Sequence, residues 1–236
     1  MEGAVFYQLF ESQSSTYTYL IGDLQSRDAL LIDPVLETID RDLRLVEELD
    51  FNLKYAIDTH IHADHVTAAG EIRRRTLAKT AVSRSAKVDC ADIALEEGQV
   101  LSMGGQRLRV LATPGHTDSC LSFVWGRRVF TGDALLIRGN GRTDFQQGSP
   151  QRLYESIHSR LYTLPDDTMV YPAHDYRGQT HSTIGMEKKF NLRIPQGRSR
   201  EEFEELMRNL QLSLPAKIHE AVPANLGCGK PTRAVV

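Results

Sequence analysis

Apolar and polar positions alternate in short blocks along the chain, and most blocks read as strands. Runs at 5–10 and 17–21 predict two strands, separated by the polar stretch Glu11-Ser12-Gln13-Ser14-Ser15. Ala29-Leu30-Leu31-Ile32 is apolar throughout, which predicts a buried strand, and Asp33-Pro34 ends it. Over 38–49, Ile39, Leu43, Val46 and Leu49 share one helical face. A strand over 53–59 follows, then a helix from Val66 to about Arg75, then a short strand at 79–82. Further strands are expected at 108–112, 121–125, 128–130 and 168–171. A helix over 150–161 has Pro150 near its start, a favoured place. Residues 200–212 read as an acidic amphipathic helix, and the tail from Ser213 as irregular. Strands interspersed with helices predict an α/β fold, two sheets covered by helices, with ligands on strand-end loops. The length of 236 residues favours a single domain over 1–236, with a short irregular or helical extension from about 195.

Composition narrows the function. A formal charge of −3 argues against non-specific nucleic-acid binding, and the basic run Arg73-Arg74-Arg75 reads as a solvated helix face. Hydrophobic content of 41% and charged content of 25% suit a soluble globular enzyme. No apolar run approaches the roughly 18 residues of a membrane span. The start, Met1 to Tyr7, has neither a basic region nor an Arg/Ser-rich stretch, which leads to a cytoplasmic expectation. Cys90, Cys120 and Cys228 are odd in number and far apart, so a reducing compartment is expected rather than a disulfide framework. Cys228, between two glycines, reads as an incidental thiol.

The chemistry concentrates at Thr59-His60-Ile61-His62-Ala63-Asp64-His65, on an expected strand-to-helix turn. Imidazoles and carboxylates are the ligands that first-row metals take. Three more strand-to-loop junctions carry such groups: His116 in Pro114-Gly115-His116-Thr117, Asp133 in Thr131-Gly132-Asp133, and His174 in Pro172-Ala173-His174-Asp175. All four junctions are expected to meet at one edge of a sheet sandwich. Five of the eight histidines fall in this set; His158, His181 and His219 read as surface residues.

H-x-H-x-D-H, P-G-H-T, T-G-D and P-A-H in this order resemble the metallo-β-lactamase superfamily, from about Tyr7 to His174. The resemblance implies an αββα sandwich of two mixed sheets flanked by helices. The second half is more similar still to persulfide dioxygenases of the ethylmalonic-encephalopathy protein type. That likeness rests on Thr131 to Arg138, on Gly141-Arg142-Thr143-Asp144-Phe145-Gln146-Gln147-Gly148, on Tyr171 to Tyr176, and on Ala221-Val222-Pro223-Ala224-Asn225.

What the second resemblance implies is one Fe(II) per chain, held by His60, His116 and Asp133 as ligands and catalytic centre. His62, Asp64, His65, His174 and Asp175 would support those ligands from behind. Two histidines and one carboxylate on one face of an octahedron leave three positions open, the arrangement of non-haem iron oxygenases. The implied reaction takes glutathione persulfide, O2 and water to sulfite and glutathione. Arg138, Arg142 and Tyr176 are the expected substrate-binding residues, because a guanidinium fork matches the glutathione carboxylates. The expected partners are therefore glutathione persulfide and O2, without nucleic acid or membrane, and a homodimer is one oligomeric option. A glyoxalase II-type thioester hydrolase with two metals is the alternative, since all its ligand types are present. Against it stand the Gly141-to-Gly148 segment and the short tail after His174, which lacks a long basic region. A third option is a metal-binding or sulfur-carrier protein that keeps the fold without catalysis.

Overall fold

The computed structural model describes residues 3–230. Met1 and Glu2 of the expected leaderless start, and 231–236 of the expected domain, lie outside the described residues. The chain forms two compact units. Of the described residues, the first holds those up to Leu95, Leu101–Arg107 and those from Leu214 to Lys230; the second holds Glu96–Val100 and Leu108–Ser213.

The first sheet runs in spatial order β1 (Ala4–Glu11), β2 (Thr16–Asp23), β3 (Asp28–Ile32), β4 (Asn52–Ile57), β5 (Lys79–Ser83), β6 (Ile93–Leu95). The polar stretch after β1 turns because the Glu11 carboxylate accepts from the amides of Gln13 and Ser14, at 2.6 and 2.7 Å. That closes an antiparallel hairpin with Glu11 opposite Thr16. From β3 onward the strands are parallel. The crossover to β4 is α1 (Ile39–Glu48), whose Ile39 and Val46 pack on Ala29, Leu31, Leu53 and Ala56. Parallel neighbours deliver their C-terminal residues to the same sheet edge. Asp33, which follows β3, and the Asp58-to-His65 turn, which follows β4, therefore share an edge.

Three expectations need correction here. The helix after the histidine turn is α2 (Ala69–Thr76) and does not begin at Val66. The Val66 carbonyl accepts from Leu36 N at 2.9 Å and Thr67 pairs with Val35 in an isolated bridge, so this backbone is committed elsewhere. The tail holds a helix, Ile218–Leu226, called α6 below. Its signal is weak because Pro223 interrupts it and its buried residues are small alanines. Finally, Cys90 and Cys228 form a disulfide with Cα atoms 6.1 Å apart, across 138 residues of sequence. Such a pairing is set by the fold and leaves no spacing signal.

The second sheet runs β12 (Ser182–Thr183), β11 (Met169–Pro172), β10 (Arg128–Gly132), β9 (Leu121–Trp125), β8 (Gln106–Ala112), β7 (Val100–Met103). The pairs β8–β9 and β9–β10 are antiparallel and β10–β11 is parallel, so β8, β10 and β11 point the same way. Helix α3 (Pro150–Ser156) continues into a π-helical turn over Ile157–Leu161. Ser199 and Glu202 form a reciprocal cap at the start of α5 (Arg200–Arg208). Leu153, Ile157, Leu161, Phe203 and Met207 bury against Val129, Leu135 and Val170. Helix α4 (Ile184–Phe190) and strands β6, β7 and β12 are additions to the elements expected. Both sheets are mixed and accompanied by helices, as the α/β expectation required. Among the described residues no helix is long and apolar enough to cross a membrane.

Candidate metal centre

Each unit carries metal-type side chains where its aligned strands end. In the first unit His60, His62 and His65 are all buried, at 2%, 0% and 0% exposure. Thr59 Oγ1 donates to Asp33 Oδ2 at 3.0 Å, so the hydroxyl can only accept from His60 Nδ1, 2.9 Å away. This chain assigns the His60 proton to Nδ1 and puts the ring's lone pair on Nε2, the end suited to a metal. His62 Nε2 meets Asp33 Oδ1 at 3.0 Å. Burial pulls the His62 imidazole down, but the Asp33 carboxylate overrides it and lifts the group to about 9. His65 Nδ1 bonds Asp64 Oδ2 at 2.9 Å.

Asp33 and Asp58 are not among the site residues expected from the sequence. Asp33 also accepts from Thr59 N at 2.7 Å, from a left-handed backbone at φ 50°. Asp58 is buried, and desolvation pushes its carboxyl up to about 7. The signal available was the position of each acid, at the end of an apolar run.

In the second unit His116, Asp133 and His174 come from the ends of β8, β10 and β11. His116 Nδ1 lies 2.7 Å from the Arg142 carbonyl, which can only accept. The proton is therefore on Nδ1, and Nε2 faces Asp133 Oδ2 at 3.6 Å. His174 Nε2 lies 3.7 Å from Asp133 Oδ1. Asp133 Oδ1 is buried and has no hydrogen-bond partner among the described residues. An anionic oxygen in that state is costly unless a cation neutralises it. Asp175 Oδ2 accepts from the amides of Arg177 and Gln179, at 2.8 and 2.7 Å, and shapes the turn after His174. Tyr176 is 72% exposed, with its ring stacked 6.0 Å from that of His174.

The two arginines expected to hold substrate are engaged with the protein. Arg138 N donates to Glu187 Oε2 at 2.9 Å, and its guanidinium pairs with the same fully buried carboxylate. Arg142 grips Asp144 with Nε and Nη2, at 2.7 and 2.6 Å, and Nη1 donates to the Ser213 carbonyl at 2.6 Å. The Arg142 fork holds the Asp144 carboxyl below its ordinary range. What the sequence could not show is that Asp144, two residues on, fills the fork. The expected incidental thiol, Cys228, is buried and bonded to Cys90; the free buried thiol is Cys120, which desolvation pushes up to about 12.

Residues 13–174 match the family model described as the metallo-beta-lactamase superfamily, so the chain belongs to that superfamily. Among curated proteins, the chain is 48% identical over 227 residues to the human protein named persulfide dioxygenase ETHE1, mitochondrial, covering 95% of this chain and 89% of that one. The Bos taurus protein of the same name is 49% identical over 224 residues, covering 94% and 87%. A solved structure described as ETHE1 from Myxococcus xanthus superposes with a TM-score of 0.93 at 55% identity, covering 95% and 99%. The fold is thus the metallo-β-lactamase fold that the motifs led one to expect.

Proposed function

We propose that this chain is a persulfide dioxygenase with one Fe(II) held by His60, His116 and Asp133. The observation that carries the activity is 48% identity to the human persulfide dioxygenase, sustained over 95% of the chain. The donor set supports the metal. Two imidazoles have their protons committed on Nδ1, and one buried carboxylate oxygen has no hydrogen-bond partner among the described residues. When bound, Fe(II) supplies the redox chemistry that O2 activation needs, whereas Zn(II) would only polarise a water.

The chain's own residues do the positioning. Asp33 and Thr59 orient His60, and the Arg142 carbonyl orients His116. Tyr176, exposed beside His174, is the proposed direct contact for substrate. Arg138 and Arg142 act by holding the loop between Asp133 and Gly148. The substrate is glutathione persulfide, which with O2 and water gives glutathione and sulfite. A homodimer is a further proposal, read by sedimentation.

An oxygen electrode tests the reaction. Adding glutathione persulfide to the iron-loaded protein should start O2 uptake, with one sulfite formed per O2 consumed. S-lactoylglutathione should be hydrolysed slowly at best. Fast thioester hydrolysis without O2 uptake would establish the two-metal hydrolase instead.

Arg142→Lys separates the two roles of that arginine. The lysine keeps a charge but loses the fork on Asp144. The partly exposed pair and its carbonyl contacts are worth about 1–2 kcal/mol together, so the melting temperature should fall by a few degrees. kcat/KM should fall equally for glutathione persulfide and for a persulfide lacking the carboxylates. A loss confined to glutathione persulfide, at unchanged stability, would return Arg142 to the substrate.

A further inference from the structure

Asn225 lies on α6, and its side chain is buried at 4% exposure. The amide makes hydrogen bonds at both ends, all to the stretch that follows His60. Nδ2 donates to the carbonyls of His62 and His65, each at 2.9 Å. Oδ1 accepts from Thr67 N at 2.8 Å. Two donors and one acceptor on one short planar group match two carbonyls and one amide. Asp would offer no donor when ionised, and Gln would reach too far.

The helix carrying Asn225 is seated without slack. Ala221 and Ala224 pack on Val66. A Cβ on Gly70 would lie 2.2 Å from the Cys228 carbonyl oxygen, and one on Gly229 would lie 2.1 Å from that of Thr67. The backbone of 228–229 thus lies directly on the turn's far end. Cys228 adopts a left-handed backbone, φ 58°, and its sulfur is bonded to Cys90.

We infer that Asn225 is a positioning residue for the metal ligands, on a helix that the Cys90–Cys228 disulfide anchors. The turn from His60 to Thr67 is irregular backbone, and its shape decides where the His60 imidazole points. Asn225 replaces the missing sheet or helix bonds of that turn from 158 residues away. Groups that orient a ligand from behind change metal affinity by roughly ten- to a hundredfold when removed. The inference rests on the proposal that His60 binds the metal.

Co(II) titration of the metal-free full-length chain, read by visible absorption, is the test. Asn225→Asp keeps the size and the acceptor but loses both donations. Co(II) affinity should fall about ten- to a hundredfold, and in the iron-loaded protein kcat should fall with KM little changed. A variant that melts earlier but keeps wild-type Co(II) affinity, absorption spectrum and kcat would show a merely structural residue and overturn the inference. If Asn225→Asp does not fold, Asn225→Ser decides, since a shorter side chain with one hydroxyl cannot span the His62 and His65 carbonyls and the Thr67 amide together: weaker Co(II) binding supports the inference, wild-type binding overturns it. His116→Ala is measured alongside. Unchanged Co(II) binding in that variant would overturn the metal assignment itself, and the inference with it.

Discussion

Asp133→Ala should purify as a folded protein with less than about a tenth of the wild-type iron, and its O2 uptake should fall at least in proportion. Removing a group that merely supports a ligand costs roughly ten- to a hundredfold in metal affinity, and removing the ligand itself costs more. Asp133 is the only anionic donor of the proposed three, so its loss leaves two neutral imidazoles facing a divalent ion. The backbone there has its own supports. Gly141 N donates to the Asp133 carbonyl at 2.8 Å, and Ala134 N to the Thr131 carbonyl at 3.0 Å. Neither bond involves the carboxylate, so the variant should keep the wild-type circular dichroism spectrum. Apart from the metal, truncation removes a buried anionic oxygen that has no hydrogen-bond partner among the described residues. The metal-free variant should therefore melt no lower than the metal-free wild type. Elemental analysis of protein purified without added metal is the measurement. Iron retained at about one per chain in Asp133→Ala would sink the ligand assignment. Two zinc ions per chain in the wild type, with no iron-dependent activity, would sink the dioxygenase.

Much of this candidate centre can be read from the chain, because side chains that could hold a metal betray themselves by type. The His60-to-His65 turn is legible since three imidazoles and a carboxylate crowd six positions. His116, Asp133 and His174 are legible because each follows a strand-like run at a Gly or Ala turn. What is not legible is which partner each donor takes. Asp33 looks like a strand-ending acid before a proline, yet it orders Thr59 and His62. Arg142 reads as a fork suited to a substrate carboxylate, and in the structure its guanidinium holds the carboxylate of Asp144. Partners far apart in sequence leave no local trace, as with Asn225 on the His62 carbonyl and Cys90 on Cys228. Helix α6 escaped for a related reason. Its buried residues are Ala221, Ala224 and Asn225, which carry almost no hydrophobic periodicity.

Gly141→Ala should damage the proposed metal centre without touching a proposed ligand. Gly141 sits where the loop after Asp133 folds back, and a methyl there has no space. Its Cβ would lie 2.5 Å from the Asp133 carbonyl oxygen, 2.8 Å from His116 Nδ1 and 2.9 Å from His116 Cγ. The first of these is backbone and cannot swing aside. The other two are a ring pinned by its own hydrogen bond to the Arg142 carbonyl, one residue further on. Relief therefore requires the loop to lift off, which moves that carbonyl and frees His116 to rotate. Overpacking of this kind costs about 1–3 kcal/mol, or a melting temperature lower by roughly 2–10 °C for a chain this long. Losing the orientation of one imidazole should weaken metal binding about ten- to a hundredfold. Gly139→Ala is the matched control two residues earlier, where a Cβ would meet nothing within 4 Å. That variant should stay within about 0.5 kcal/mol of wild type and keep its metal. Thermal melting and Co(II) titration of the pair make the comparison. Equal metal affinity in both variants would mean that the loop yields without disturbing His116, and that the imidazole is held by something other than the Arg142 carbonyl.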